Sequence, residues 1–427
     1  MTGTWGNGSS AMRPWRALLS TCLCAVALHA AAAPASAQRA IPLRKLTPQF
    51  VTDSGVLQGI SGVRQLPDGR VLVNDPSGQR LLALNSTLTK FTVILDTAGG
   101  NGGSKYGGQP GGLFPFLGDS SLFLDGDARV FVVIDPGAKV VRTMAAPKTR
   151  DAMYLLAFEF PGTPGVDSRG RIIYTGFRPA PAGSPATADA AAPQSVYFLP
   201  DSAPILRGDF DARTVDTIAM LRIPTRKMVM TTLKSGMRLG VPAVNPVPAT
   251  DEWTLLADGT VAIVRGYDYH IDWLHPDGTR TSSSKMPFDW RRITLEEKDS
   301  LLAALVKADA DRKAKAPPRP PALPGEPERL VVPFMTVDAR DLPDFYPPIR
   351  AGTVKADQDG NVWILPTTST LATGGLVYDV VNRAGEVFER VQLPEGRDIA
   401  GFGRGGVVYL RHSPGAGLVF LERAMRR

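Results

Sequence analysis

Cysteine is almost absent from this chain. The only two, Cys22 and Cys24, fall inside an N-terminal stretch built like an export leader. Met12-Arg13-Pro14-Trp15-Arg16 is a basic start, residues 17–33 are an apolar core, and Ala35-Ser36-Ala37 is a cleavage signal. That core is shorter than the roughly 20 residues a membrane-spanning helix needs, and it ends in a cleavage motif. The expectation is a signal peptide over 1–37 and a mature chain over 38–427, periplasmic or secreted, with no transmembrane anchor. Without cysteine, the mature chain has no disulfide, no cysteine metal site and no thiol nucleophile. It must be held by burial, for which about 390 residues suffice.

Histidine and one-sided charge are scarce too. Beyond the leader only His270, His275 and His412 remain. No H-E-x-x-H or G-x-S-x-G motif is present, and Gly99–Gly112 lacks the G-K-[ST] end of a phosphate loop. Gly401–Gly406 matches G-x-G-x-x-G by letter, but it precedes the strand Val407–Leu410 where a phosphate site needs a helix. Asp357-Gln358-Asp359-Gly360 begins like a calcium loop and lacks the distal Glu. Cleavage removes Arg13 and Arg16 and no acid, leaving 46 basic against 41 acidic side chains, net +5. In an exported chain so small an excess does not call for nucleic acid, though it favours anionic ligands slightly.

What the chain has in quantity is turn residues, with 43 Gly and 37 Pro. They punctuate a repeated strand–turn–strand phrase: 62–74, 121–134, 165–175, 254–265, 353–365 and 400–410. In 267–274, Tyr267, Tyr269, Ile271 and Trp273 alternate with Asp268, His270 and Asp272, the period of a strand. Most phrases are followed by a second strand pair. Four strands per repeat near 40–45 residues is the pattern of propeller blades. The fold class is therefore all-β: a six-bladed β-propeller of four-stranded blades, with residues 41–51 placed to complete the last blade. A seventh blade within 227–245 or 330–338 is the alternative count.

One segment breaks the pattern. Thr294-Leu295-Glu296-Glu297 is a capping box, and Leu301, Leu302, Leu305 and Val306 follow at helical spacing. A proline-rich strap, 317–327, comes next. This makes a helical insertion between blades four and five. If the Asp-Gly turns join strands one and two, then insertions 98–112, 178–194, 225–250 and 287–350 share one face, and Asp68, Asp125, Asp127, Asp258, Asp277, Asp357 and Asp359 occupy the other as turn formers. Elaboration on one face is where a binding site on a rigid scaffold is expected.

The six phrases, with 245–248, 269–273 and 286–290, resemble the six-bladed propellers of the TolB-like and NHL-repeat kind, particularly exported bacterial proteins of unassigned role. The resemblance covers nearly all the mature chain and implies a fold more than a chemistry. The first functional reading is a monomeric binding module for a small anionic molecule, peptide or glycan, without cofactor and without catalysis. Its candidate ligand-binding residues are Asp75, Arg178, Glu252, Arg265, Tyr267, His270, Arg411 and His412, since guanidinium groups from three blades can clamp a carboxylate or phosphate. Asp135, Asp251 and Asp268 stand beside them, and the competing role for all is ion pairing between blades. The alternative reading is a metal-dependent hydrolase or lactonase. Gluconolactonase-like propellers hold a divalent cation such as calcium with a Glu, Asn and Asp set, for which Glu252, Asn74 and Asn245 are the candidates. Amidating lyases of similar shape use three histidines at zinc, but strand parity puts His275 at the opposite mouth from His270 and His412. A third reading is a scaffold within an envelope complex.

Overall fold

The computed structural model describes residues 41–99, 105–107, 111–148, 151, 155, 161–177, 196–232, 236, 238–315 and 332–426. Residues 1–40, the whole of 178–194 with Arg178, and 317–327 lie outside them.

The turn chemistry forms as the residues require. In sheet one, Leu66 N–H donates to Arg70 O at 2.7 Å and Gly69 N–H to Leu66 O at 3.0 Å, with Gly69 at φ +86°, a conformation suited to glycine. The strands on either side, Gly62–Gln65 and Val71–Asp75, then pair antiparallel, with Val63 opposite Val73. Arg80–Leu84 and Phe91–Leu95 complete the sheet in chain order.

Five further sheets are built on that plan. Sheet two is Leu113–Pro115, Ser121–Asp125, Val130–Ile134 and Val140–Ala145. Sheet three is Gly165–Val166, Ile172–Thr175, Ser202–Gly208 and Val215–Arg222. Sheet four is Glu252–Leu255, Val261–Arg265, His270–Leu274 and Arg280–Ser282. Sheet five is Lys355–Ala356, Val362–Ile364, Val377–Val381 and Val387–Gln392. Sheet six is Arg397–Phe402, Val407–Gly415 and Leu418–Met425. An accessory sheet gathers Val196–Phe198, Lys227–Thr232, Arg238–Val244 and Met335–Thr336 from the regions between them.

The core is divided among the junctions of these sheets. Leu72 and Leu81 of sheet one pack with Phe123 and Ile134 of sheet two, and Leu122 and Phe131 with Ile172 and Tyr174 of sheet three. Ile173 and Ile205 meet Trp253 and Ile263 of sheet four, and Ile271 and Trp273 meet Val362 and Ile364 of sheet five. Trp363 and Val391 meet Phe402 and Leu410 of sheet six, and Tyr409 and Leu421 return to Val73 and Leu82 of sheet one. Full burial of each such aliphatic or aromatic side chain contributes about 1.5–3 kcal/mol. The architecture is all-β, a set of four-stranded sheets with one described helix, consistent with a β-propeller.

Residues 41–51 divide between two sheets. Pro48–Val51 pairs antiparallel with Leu418–Met425 and supplies the missing outer strand of sheet six. Leu43–Lys45 instead runs parallel to Val387–Gln392, the outer strand of sheet five. Both edges are thereby covered.

Two expectations are corrected. Sheet two begins with the short strand Leu113–Pro115, so 121–134 supplies its second and third strands, not its first and second. Asp125 and Asp127 accordingly sit in a turn equivalent to 76–79 of sheet one, and Asp135 moves to the turn closing strands three and four. Leu-Phe-Pro is too short, and its proline too unlike a central strand, to signal pairing from sequence. In sheet four the third strand starts at His270, not Tyr267. Tyr269 N–H closes a turn onto Arg265 O at 2.8 Å and Tyr269 has φ +49°, which leaves Tyr267 exposed while Tyr269 is buried.

The helix Leu295–Lys315 forms with its capping box intact: Glu297 N–H donates to Thr294 Oγ1 at 3.2 Å, and Thr294 N–H to Glu297 Oε2 at 2.9 Å. Leu301 and Leu302 pack against Val247, Ile293 and Tyr346 beside the accessory sheet.

Candidate functional site

The first strands of sheets four and five open within three residues of equivalent points, and each carries a charged group there. Glu252 begins sheet four and is 1 % exposed. Its Oε2 accepts the Gly162 N–H at 2.8 Å, from the loop before sheet three, and its Oε1 accepts the Gly352 N–H at 2.7 Å, from the loop before sheet five. Burial raises its pKa to about 7, against the pull of those two N–H donors and of Lys355, with Asp251 adding to the rise. One carboxylate thus ties together the loops on both sides of its own sheet.

Lys355 begins sheet five. Burial lowers the pKa of its ammonium; Asp398 and Glu252 oppose this and Arg411 reinforces it. Among the described residues no acceptor lies within hydrogen-bond or ion-pair reach of Lys355 Nζ. Asp398, in the first strand of sheet six, is held by Arg411 through Nη2 at 2.6 Å and Nε at 3.2 Å. Arg411 Nη1 also donates to Ile60 O at 3.2 Å. Tyr378 feels Asp398 too, and burial first, then that charge, raises its phenol well above the usual value. Three loci of charge from consecutive sheets therefore act on one another here: Glu252, Lys355 and the Asp398–Arg411 pair.

The other residues named from sequence are placed elsewhere and are largely committed. Asp75 is fully buried and accepts from Gln58 N at 3.2 Å, Gly78 N at 2.9 Å and Arg80 Nε at 3.1 Å. Arg265 bridges Asp251 and Asp272, each at 2.7 Å. His270 Nε2 lies 3.3 Å from Asp272 Oδ1 and His412 Nδ1 3.5 Å from Glu422 Oε1. Tyr267 carries the Arg222 guanidinium 3.7 Å from its ring centroid. Arg265 and Arg411 thus each answer a local acid, and Arg178, the third arginine of the clamp, lies outside the described residues.

Glu252, Asn74 and Asn245, the candidate metal set, are likewise engaged by local partners. Asn74 donates to Gly111 O at 2.6 Å and accepts the Tyr106 hydroxyl at 2.5 Å, while Asn245 Oδ1 accepts Val247 N–H at 2.9 Å. Among the described residues no group of three or more His, Cys, Asp or Glu is arranged to hold a metal ion.

Sequence reasoning found Glu252 and Arg411 and missed Lys355, Asp398 and Tyr378, because it looked for function in loops. A signal was available. Aligning the Asp-Gly turns of sheets four and five puts Lys355 level with Thr254, two residues from Glu252 and so on the same side of its strand.

No family model matches this chain, and no curated protein matches it in sequence. Several solved structures are similar to it at low identity. A gluconolactonase from Xanthomonas campestris is 11 % identical, with a TM-score of 0.35 over 86 % of this chain and 88 % of that one. Virginiamycin B lyase from Staphylococcus aureus is 10 % identical, with a TM-score of 0.38 over 90 % of this chain and 100 % of that one. The calcium-binding protein regucalcin from Agrobacterium tumefaciens is 10 % identical, with a TM-score of 0.33 over 90 % and 97 %.

Proposed function

We propose that this chain is an exported six-bladed β-propeller that binds a small anionic ligand, or an anionic group of a peptide or glycan, where the first strands of sheets four, five and six open. The blade count is supported by the six inter-sheet cores, each joining consecutive sheets and the last returning to the first. The accessory sheet stands outside that cycle, since sheets three and four pack directly on each other. The long connections before sheets two, four and five lead to the same ends of the first strands as Glu252 and Lys355, which is why that face is the binding face in this reading.

The observation that carries the reading is Lys355: a partly buried ammonium in the field of two carboxylates, Asp398 and Glu252, with no hydrogen bond or ion pair of its own side chain among the described residues. A cation so placed gains most from a ligand acceptor, because the low dielectric that lowers its pKa also strengthens the new bond. Arg411 spends three N–H groups on Asp398 and Ile60 and keeps two of its five for a ligand. Calorimetric titration with succinate, citrate and inorganic phosphate tests this. Lys355→Met is expected to weaken binding at least tenfold with unchanged thermal stability. Equal affinity in wild type and variant removes the basis for the site.

A further inference from the structure

A second place for an anion lies at the opposite ends of the strands, in the groove between sheets three and four. It is a cavity of about 230 Å³ flanked by the turns 167–171 and 275–279. Three arginines line it: Arg171, Arg207 and Arg280. The single carboxylate among the lining residues, Asp167, is taken by Arg171, whose Nη2 stands 2.7 Å from Oδ2. Arg280 donates from Nη2 to Ile218 O at 2.7 Å, a backbone carbonyl that satisfies a hydrogen bond without cancelling the charge.

Arg207 is the least satisfied. Among the described residues its one ion-pair partner is Asp216, at 3.7 Å and itself 64 % exposed, and its buried Nε has no hydrogen-bond partner. A buried N–H of a charged group left without an acceptor is unfavourable, and the Arg207 Nη2, held only at 3.7 Å by Asp216, is open to a closer acceptor. The rest of the wall is mixed: Ile173, Val261 and Leu274, all buried, stand beside Thr217 and His275. Fork-shaped donors beside the apolar side chains of Ile173, Val261 and Leu274 match a ligand with a planar or tetrahedral anionic head and a short hydrocarbon body.

We propose that this groove binds a small amphiphilic anion, a carboxylate or phosphate bearing a short apolar chain, with its head on Arg207 and Arg280 and its chain against Ile173, Val261 and Leu274. The site shares no residue with Lys355 and stands independently of the reading above.

The full chain is titrated by calorimetry with hexanoate, hexyl phosphate and acetate at constant ionic strength. The expected result is saturable binding of hexanoate or hexyl phosphate at least tenfold tighter than acetate, and whichever of the two binds more tightly identifies the head group. Arg207→Gln and Arg280→Gln should each weaken that binding at least tenfold, and Lys355→Met should leave it unchanged. Two arginine variants are used so that misfolding of one, seen in its thermal melt, leaves the other to decide. The proposal is overturned if wild type binds neither six-carbon probe, if a folded arginine variant binds as wild type does, or if Lys355→Met alone abolishes binding.

Discussion

Gly162 lies against the Trp253 indole so closely that a Cβ on it would stand 2.0 Å from Nε1. The glycine is at φ +83°, and its N–H is the one held by Glu252. Trp253 in turn donates from Nε1 to Thr175 Oγ1 at 2.7 Å and Pro161 O at 2.9 Å, so the junction of sheets three and four is locked by a side chain, a hydroxyl and a loop without room for a methyl group.

Gly162→Ala should therefore be costly twice over, through left-handed backbone strain and through collision with a fully buried tryptophan. A loss of roughly 2–4 kcal/mol is expected. Urea unfolding followed by tryptophan fluorescence measures it. A change under half a kcal/mol would show that the loop can step aside.

Glu252 makes stability depend on pH. Its folded pKa of about 7 lies above the ordinary glutamate value of 4.5, so between these values the folded chain holds more protons than the unfolded one. The stabilisation is full below about pH 4.5 and is lost as pH rises through 7. One buried group with this shift contributes on the order of 3 kcal/mol. Comparing urea midpoints at pH 5 and pH 8 should show a decline in wild type that is smaller in Glu252→Gln. Parallel profiles would assign the decline to other groups.

Removing residues 41–51 should do more than shorten the chain. It uncovers the outer strand of sheet five, Val387–Gln392, and that of sheet six, Leu418–Met425. Exposed strand edges recruit other strands. A melting temperature lower by several degrees and concentration-dependent association in size-exclusion chromatography are expected. A truncated chain that elutes and melts like wild type contradicts the closure described here.

Thr294→Ala removes the hydroxyl that caps Glu297 N–H. The expected cost is about 1 kcal/mol, felt locally. Hydrogen exchange should quicken in the first turn of Leu295–Lys315 while the sheets stay protected. Faster exchange throughout sheets four and five would mean that the helix supports them.

Much of the fold was written in short-range chemistry. Asp-Gly and Gly-rich turns between β-branched runs produced the hairpins of all six phrases, and Thr294 with Glu297 announced the helix start, because each depends on residues only a few positions apart. Leu113–Pro115 escaped because three residues that include a proline carry no period to read, and that one missed strand moved Asp125, Asp127 and Asp135 to the wrong ends of their sheet.

The candidate site was legible only in part. Local sequence placed Glu252 and Arg411 at strand ends, and nothing within several residues of either could say that Gly162 and Gly352 consume the Glu252 carboxylate or that Asp398 engages Arg411. The Glu252 pairings span 90 and 100 positions and arise from how the sheets pack, while Asp398 meets Arg411 through the register of their hairpin. Lys355 shows the same division from the other side. Strand periodicity assigns it to a face of its strand, while its lack of a partner among the described residues depends on which acids neighbouring sheets bring close, and how close. Hydrogen bonds and ion pairs across a hairpin are settled within the repeat; the environment of Glu252 and Lys355 is settled by the packing of one repeat on the next.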